Sequence, residues 1–356
     1  MATVNFLPGP VTVAREVRAA FRRAPVSHRS AAFQAVRDDT AAALRKLTRA
    51  KHAALMTGSG TLANDVVAQQ IRRLRGPGLI LANGEFGERL IGQAGRCGLR
   101  FETERIPWGQ VFDLAAVFKK LSGKGWVWLT ACETSTGMIN PFRDIMRFCA
   151  AEGIKVCLDA ISAIGNMPVD CSKAYLATAT SGKGLGAYAG LAMVFYNHEV
   201  APDPATPTYI DLGTYHCAAD VPFTMPSSLL CALCAALRAT DFKEKFARLR
   251  QQAAVIRNGL KGQGLRTPIT QRQSDFMWTL EAPDGITSRG LGDRLHAMGI
   301  ITHYRNRYLL ANNWLQISLM GSLSLRDVTR LMKGLASAVD HERRCPSGAA
   351  MPTKTR

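Results

Sequence analysis

The sequence predicts an α/β fold: a large domain with a mostly parallel central sheet, followed by a smaller C-terminal α+β domain. Between residues 50 and 200, short apolar runs alternate with amphipathic stretches, which is typical of strands joined by helices that cover both faces of a parallel sheet. After residue 198 a proline-rich stretch ends this alternation, and longer helical patterns follow. The 356 residues, of which 47% are hydrophobic, suffice to form a sizeable core.

Six apolar runs in the first part of the chain are predicted strands, at residues 53–57, 79–82, 126–130, 155–159, 176–180 and 191–196. Amphipathic patterns between them predict helices at residues 61–74, 86–97, 113–121 and 141–152. In sheets of this kind, ligands bind beyond the carboxyl ends of the strands. The chemistry is therefore expected in the segments that directly follow these runs.

The second part of the chain predicts a surface excursion over residues 198–225 and then one long helix from 227 to about 260. Further elements are predicted at 273–280 (strand), 288–298 (helix), 314–319 (strand) and 325–339 (helix), the last beginning after Ser324. The resulting organisation is an N-terminal segment at the active site (1–15), a large domain (16–242), a small domain (243–341) and a disordered tail (342–356).

The charge is strongly basic, with 45 Lys and Arg against 27 Asp and Glu and a net charge of +18. No dense basic block interleaved with aromatic residues is present, so the excess favours a field around a cleft that takes anions over nucleic-acid binding. No apolar run has the ~18–20 residues of a membrane helix, and the N-terminus lacks the pattern of a signal peptide. Nine cysteines with mostly apolar neighbours predict reduced thiols in a cytoplasmic protein. The CxxC of Cys231 and Cys234 predicts a buried helix rather than a metal site, and no metal is expected.

One lysine, Lys183, follows a predicted strand within the small-residue segment TATSGKGLG. Small neighbours let a flat ligand lie against the backbone, and a partly desolvated lysine has a lowered amine pKa. Both properties suit a Schiff-base lysine, although a Gly-Lys-Gly turn is also common at protein surfaces. Asp159, which ends the preceding predicted strand, is either a helix cap or the anionic partner of a protonated ring nitrogen, as pyridoxal phosphate requires.

A glycine-rich turn, Thr57-Gly58-Ser59-Gly60-Thr61, lies between a predicted strand and a predicted helix. Glycines allow close backbone approach, the hydroxyl groups can donate hydrogen bonds, and a helix N-terminus offers unpaired N–H groups with a positive dipole. The turn therefore predicts an anion site. It does not match GxxxxGK[ST], which disfavours an ATP-binding function.

Taken in order, these motifs resemble the class V aminotransferases of the fold-type-I pyridoxal phosphate enzymes. The most similar branch holds alanine–glyoxylate and 2-aminoethylphosphonate–pyruvate aminotransferases. The resemblance extends from residue 6 to about 335 and rests on LPGP (7–10), SHRS (27–30), SGT (59–61), NGEFG (83–87), ETSTGMINP (133–141), DAIS (159–162), Lys183 and FTMP (223–226). It implies the PLP-dependent transferase fold type I, pyridoxal 5'-phosphate as cofactor and a homodimer with shared active sites.

The resemblance also implies roles for individual residues. Lys183 would form the Schiff base and move the α-proton, while Asp159 would pair with the ring nitrogen. The cofactor would further be held by Ser59, Gly60 and Thr61 at its phosphate, Phe86 stacked on its ring, Thr134 facing its ring oxygen, and Thr224 reaching the phosphate of the neighbouring subunit. Without the resemblance, core packing would be the simpler interpretation of Phe86.

Two positions depart from the family pattern. Gly182 precedes the lysine where the family usually has Gln, His, Arg or Asn. Gln316, in the segment WLQISLMG, stands where the family has an arginine that binds the substrate carboxylate. Either another cation has taken over, or the substrate presents no carboxylate there. The expected substrate residues are Gly9, Gln316 and three candidate replacement cations, Arg29, Arg305 and Arg307.

Three functions remain open at this point. The first is an aminotransferase that moves an amino group from a small donor to a 2-oxo acid. The second is a lyase or other non-transaminating pyridoxal phosphate enzyme whose substrate lacks an ordinary α-carboxylate. The third, a basic binding protein without catalysis, is disfavoured because it would not need Lys183, Asp159 and the phosphate turn together. In the first case we expect poor alanine–glyoxylate activity, with the substrate selected by Gln316 and one of the arginines.

Overall fold

The computed structural model describes residues 3–344 of the chain. The strands are β1 (Val4–Asn5), β2 (His52–Thr57), β3 (Gly78–Ala82), β4 (Phe101–Arg105), β5 (Trp126–Thr130), β6 (Cys132–Glu133), β7 (Met138–Ile139), β8 (Lys155–Asp159), β9 (Leu176–Thr180), β10 (Leu191–Tyr196), β11 (Met277–Glu281), β12 (Ile300–Ile301) and β13 (Trp314–Ser318). The helices are α1 (Arg15–Phe21), α2 (Ala31–Thr48), α3 (Gly60–Arg72), α4 (Glu85–Arg96), α5 (Leu114–Leu121), α6 (Phe142–Ala151), α7 (Leu212–Cys217), α8 (Ser227–Ala239), α9 (Phe242–Gly259), α10 (Ser288–Ala297), α11 (Arg307–Ala311) and α12 (Leu325–Arg344).

A seven-stranded sheet in the order β2-β10-β9-β8-β5-β3-β4 forms the centre of the protein. Its strands are parallel except β10, which runs antiparallel to both of its neighbours. The six predicted strands are all present in it, so the α/β prediction with a mostly parallel sheet is confirmed. In the register, Asp159 lies opposite Thr130 on one side and Thr178 on the other, which brings the carboxyl ends of β5, β8 and β9 to one edge.

The seventh strand, β4, was not predicted because three of the five residues in its sequence FETER are charged. β4 is an edge strand that pairs only with β3. Its charges form ion pairs with other elements, Glu102 with Lys124, Glu104 with Lys120 and Arg105 with Glu88. Charged side chains on an edge strand also discourage pairing with another chain.

The prediction of one long helix from 227 to 260 was wrong, because the segment forms two helices, α8 and α9. The Asp241 carboxylate accepts hydrogen bonds from the backbone N–H groups of Lys243 and Glu244, so it caps the start of α9. The two helices then pack differently, α8 against α1 and α2, and α9 against α12. The break at Thr240 and Asp241 therefore lies close to the expected domain boundary at 242.

The predicted strand at 273–280 begins later than expected, at Met277. Ser274 Oγ accepts a hydrogen bond from the Met277 backbone N–H and donates one to the Met277 carbonyl, so the residues before Met277 form a turn. β11 pairs with β13, while β12 pairs with β1 from the N-terminus. The C-terminal part of the chain is thus tied to its first residues.

The last helix, α12, begins with reciprocal hydrogen bonds between Ser324 and Asp327. It continues to Arg344, beyond the position where the tail was expected to begin, and the rest of that expected tail, residues 345–356, lies outside the described residues. Among residues 3–344, no helix is both long and apolar enough to cross a membrane. Eight of the nine cysteines lie in this part of the chain and are free thiols, with Cys231 and Cys234 both on α8.

Candidate active site

A cavity of about 590 Å³ lies at the carboxyl ends of β2, β5, β8 and β9 and at the opposite, starting end of β10. Most of the expected site residues line it, namely Gly9, Ser59, Gly60, Thr61, Phe86, Thr134, Asp159 and Lys183. Gly182, one of the two departures from the family pattern, also lies in its wall. The sheet edge thus brings together residues that are up to 174 positions apart (183 − 9).

Lys183 lies three residues beyond the end of β9, in a turn that packs too closely for larger neighbours. A Cβ added to Gly184 would lie 2.3 Å from the Ile164 carbonyl oxygen, so this position accepts only glycine. Lys183 Nζ donates a hydrogen bond of 3.0 Å to Ser162 Oγ. Burial lowers the pKa of Lys183, and the Asp159 charge acts in the opposite direction. Loss of water from the ammonium thus favours a neutral amine, the form that a nucleophile or base requires.

Asp159 ends β8 with its side chain almost fully buried. Its Oδ2 accepts a hydrogen bond of 2.9 Å from Asn64 Nδ2, and its Oδ1 accepts one of 3.0 Å from the Ile161 backbone N–H. The Asn64 amide oxygen is itself fixed by the Thr178 hydroxyl, at 3.0 Å. Burial raises the pKa of Asp159, against the effect of these bonds. The carboxylate forms no salt bridge within residues 3–344. A cation placed in the cavity would therefore offset the free-energy cost of burying the Asp159 charge.

The turn before α3 has the features of an anion site. Ser59 precedes the helix and its side chain makes no capping hydrogen bond, so its hydroxyl remains available. The first N–H groups of a helix have no partners within the helix, and its dipole attracts negative charge. A Cβ added to Gly60 would lie 2.7 Å from Ile161 Cδ1, so a larger residue here would displace the Ile161 side chain. These features fit the phosphate of pyridoxal phosphate.

Phe86 is held at the cavity by the buried carboxylate of Glu133, a residue for which the sequence predicts no role. Glu133 is fully buried and accepts hydrogen bonds from the backbone N–H groups of Phe86 (3.3 Å) and Gly87 (3.0 Å), at the start of α4. It also accepts one from Ser135 Oγ, at 2.6 Å. Glu133 lies in the ETSTGMINP motif, but only the folded structure shows that its side chain faces a helix N-terminus 46 residues away in sequence.

We expect Glu133→Gln to lower the free energy of unfolding by about 1–3 kcal/mol, since the amide nitrogen of glutamine would face backbone donors that now bond to a carboxylate. Urea denaturation measures this change. Glu152→Gln is the matched control, because Glu152 is exposed at the end of α6. Equal stability of both variants would contradict the assigned role of Glu133.

A hydroxyl pair lies next to the lysine. Thr134 Oγ1 is 2.6 Å from Ser162 Oγ, which in turn accepts the bond from Lys183 Nζ. Both hydroxyl residues are buried. The sequence motifs predict a role for Thr134 but none for Ser162 or Asn64. Their hydroxyl and amide side chains carry no sequence signal that separates them from ordinary polar residues in turns.

The structure does not bring Gln316 to the cavity surface. Gln316 is fully buried in β13, and its Nε2 lies 2.9 Å from each of three acceptors that share its two N–H groups, the carbonyls of Thr134 and Ser135 and Thr279 Oγ1. Its Oε1 accepts a bond of 3.1 Å from the Tyr308 hydroxyl. Both ends of the amide are therefore engaged within the protein.

The three candidate arginines also lie away from the cavity of this chain. Arg29 forms an exposed ion pair with Asp220, at 2.6 Å, and Arg305 forms one with Asp293, at 3.0 Å. Arg307 is exposed at the start of α11. Thr224 is exposed beside a separate small groove and does not line the cavity either.

A buried lysine supports the turn that carries Lys183. Lys245, on α9, donates hydrogen bonds to the Gly184 carbonyl, at 2.5 Å, and to the Met320 carbonyl, at 3.4 Å. Burial lowers the pKa of Lys245 to about 7. The Lys245 amine thus links the segment after Lys183 to the segment after β13. Its burial removes the water that would stabilise the charged ammonium.

The lowered pKa of Lys245 predicts that the stability of the protein depends on pH. In the unfolded chain Lys245 stays protonated up to its ordinary pKa of 10.5, whereas in the folded protein it loses its proton above about pH 7. Between these values the unfolded state binds more protons, so the stability of wild type relative to Lys245→Met should rise from pH 6 to pH 9. Urea denaturation at both pH values tests this, with Lys243→Met, exposed on the same helix, as control. A difference that is the same at both pH values would refute it.

Comparisons with known proteins identify the family of this chain. The family model for aminotransferase class-V matches residues 14–210, more than half of the chain. A protein of Synechococcus sp. named soluble hydrogenase, small subunit, is 26% identical, over 94% of this chain and 92% of its own length. A 2-aminoethylphosphonate–pyruvate transaminase of Pseudomonas fluorescens is 28% identical, over 65% of this chain and 68% of its own.

The fold is also found among solved structures. The crystal structure of ureidoglycine–glyoxylate aminotransferase from Bacillus subtilis superposes with a TM-score of 0.88 at 24% identity, over 99% of this chain and 95% of that one. Within residues 3–344, no group of three or more His, Cys, Asp or Glu is placed to hold a metal ion. The family match, together with the cavity, shows that the chain belongs to the class-V aminotransferases, enzymes that use pyridoxal phosphate.

Proposed function

We propose that this protein transfers an amino group from a small amino donor to a 2-oxo acid, with Lys183 as the catalytic lysine. The observation that carries the proposal is that Lys183, the buried Asp159 carboxylate and the start of α3 line one cavity. The named relative from P. fluorescens and the structure from B. subtilis support the reaction class, since their names pair an amino compound with pyruvate or glyoxylate.

The cavity offers a binding group for each part of the cofactor. Ser59, Gly60 and Thr61 would hold the phosphate, Asp159 the ring nitrogen, Phe86 one face of the ring, and Thr134 the ring oxygen. When bound, pyridoxal phosphate supplies an electron sink for the carbon that carries the amino group.

The protein's own contribution is to hold and move protons at two atoms. Lys183 Nζ, with its pKa lowered by burial, accepts a proton from the substrate carbon and returns it. Ser162 Oγ, bonded to this nitrogen and to Thr134, fixes its position. The Asp159 carboxylate, fixed by Asn64 and the Ile161 N–H, keeps the proton on the ring nitrogen.

The proposal includes a cytoplasmic homodimer in which Thr224 reaches the phosphate site of the partner subunit. Two observations support it: the exposure of Thr224 outside the cavity of its own chain, and the free state of all eight described cysteines. Sedimentation measurements on the purified protein test the dimer.

A second candidate function is a pyridoxal phosphate lyase or other non-transaminating enzyme. The observation that favours it is the engaged Gln316 amide, which leaves no carboxylate-binding group at that position. Such an enzyme would consume an amino compound without keeping its amino group on the cofactor.

Half-reaction spectroscopy separates the two functions. The holoenzyme is mixed with alanine, serine, 2-aminoethylphosphonate or a simple amine in the absence of an acceptor. A transaminase converts bound pyridoxal phosphate to pyridoxamine phosphate, and pyruvate or glyoxylate then reverses the change. Consumption of a donor while pyridoxal phosphate persists would favour the lyase, and a lack of response to any donor would contradict the proposal.

A further inference from the structure

Any 2-oxo acid acceptor carries a carboxylate, so the cavity needs a cation for it besides Lys183. Two other cationic side chains of the described residues line the cavity, Arg89 and Arg96, both on α4. They lie on one face of the helix, with Gly92 and Gln93 between them. Within one chain, this face of α4 therefore holds the candidate cations that could replace the arginine missing at position 316.

Arg89 lies next to the reacting groups. Its Cζ is 4.8 Å from the centre of the Phe86 ring, and Lys183 Nζ is 5.4 Å from the same centre. The Arg89 charge also contributes to lowering the pKa of Lys183. Arg89 and Lys183 thus both lie close to the same aromatic ring in the wall of the cavity.

The guanidinium of Arg89 retains binding capacity. Its Nε and Nη2 both donate to a single oxygen of Glu85, at 3.0 and 2.9 Å, while Nη1 has no hydrogen-bond partner among the described residues. The Arg89 side chain is 53% exposed, so the ion pair with Glu85 contributes little to stability. An anion in the cavity can therefore compete for the guanidinium at small cost.

Arg96 lies farther from the chemistry. It follows Arg89 by two turns of α4, about 10 Å along the helix axis. Its neighbour Gln93 bonds to the Thr61 carbonyl and to Asp65, which places this part of the helix beside the phosphate turn. The geometry thus separates a phosphate end, near Arg96, from a substrate end, near Arg89.

We propose that Arg89 binds the anionic group of the substrates, a carboxylate or a phosphonate, in place of the arginine that Gln316 has replaced. The inference rests on the proposed aminotransferase function, because it requires a substrate that reacts at Lys183. Arginine suits both anions, since its planar fork matches their oxygen geometry. The substrates selected are then short amino acids and aminophosphonates, and amines that lack an anionic group are expected to be poor donors.

The test compares Arg89→Gln with Arg96→Gln and Arg100→Gln in the holoenzyme. Arg100 is exposed just beyond α4 and outside the cavity, so its variant loses the same charge without touching the cavity. A charge-assisted contact is worth about 1.5–3 kcal/mol, so Arg89→Gln should raise KM for pyruvate or glyoxylate by roughly 10- to 150-fold, with a smaller change in kcat. Arg89→Lys should restore part of the affinity, and Arg100→Gln should match wild type.

A second measurement does not depend on turnover. Propionate and methylphosphonate carry the anionic group without a reacting amino or oxo group, and their binding is followed through the visible absorbance of the cofactor. Arg89→Gln should weaken both by at least about 10-fold. The two ligands also distinguish the anions, since tighter binding of one by wild type identifies the preferred group.

Each outcome can be assigned to one of the two proposals. If wild type transaminates and Arg89→Gln has the KM values and anion affinities of Arg100→Gln, the role of Arg89 is refuted while the aminotransferase function stands. If Arg96→Gln alone weakens binding, the assignment of the anion to Arg89 is also refuted. If no donor reacts but Arg89→Gln loses anion binding, the proposed function fails and the anion site stands.

Discussion

Lys183→Ala is expected to abolish turnover and to leave no cofactor attached to the protein after borohydride treatment. Alanine has no amine to bind the cofactor covalently or to move a proton at the substrate carbon. No other lysine lines the cavity within the described residues. Activity assays and mass spectrometry of the peptides from borohydride-treated protein measure the two effects. Lys243→Ala, at an exposed position, is the matched control and should behave as wild type.

The competing lysine in this experiment is Lys245. It is buried, its pKa is lowered to about 7, and it bonds to the carbonyl of the residue next to Lys183. Its nitrogen points to backbone oxygens and not into the cavity. Recovery of the reduced cofactor on the peptide that contains Lys245, or on any other peptide lacking Lys183, would overturn the assignment.

Asp159→Asn is expected to retain some bound cofactor but to lose orders of magnitude in kcat. A carboxylate beside a buried cation favours the protonated ring nitrogen, and a neutral amide removes that effect while keeping nearly the same shape. The hydrogen bond from Ile161 N–H can persist to the amide oxygen, while the bond from Asn64 is lost because the amide nitrogen would face the Asn64 Nδ2 donor. Absorbance titration with pyridoxal phosphate measures cofactor binding, and steady-state kinetics measure the rate.

Asp170→Asn is the control for this change, because Asp170 is exposed and pairs with Arg49 at the surface. It should leave kcat within about twofold of wild type. Near-normal turnover of Asp159→Asn would show that the ring nitrogen is stabilised by another group. A variant that binds no cofactor would instead assign Asp159 mainly to cofactor binding.

The parts of the fold that could be predicted are those set by local patterns. Strands such as β5 and β8, buried on both faces, appear in the sequence as short apolar runs and were placed to the residue. β4 was missed because none of its residues is fully buried, so charged side chains are tolerated along it. The break between α8 and α9 depends on a single capping aspartate, Asp241, within an otherwise continuous helical pattern.

The candidate site could be predicted where a residue follows a strand directly. Asp159 and Lys183 lie in such positions, and both line the cavity. The substrate cation could not be found in this way, because Arg89 is one of several arginines on an amphipathic helix and only the packing of α4 against the sheet turns it to the cavity. The engagement of Gln316 depends on contacts with residues more than 180 positions earlier in the chain, which local sequence cannot show.

The buried amide of Gln316 has a mechanical consequence. Through it, β13 is hydrogen-bonded to the loop after β6, at Thr134 and Ser135. Breaking the two bonds would cost about 0.5–1.5 kcal/mol for each. Because Thr134 also lines the cavity, these bonds oppose any hinge motion that would draw β13 away from the cavity wall.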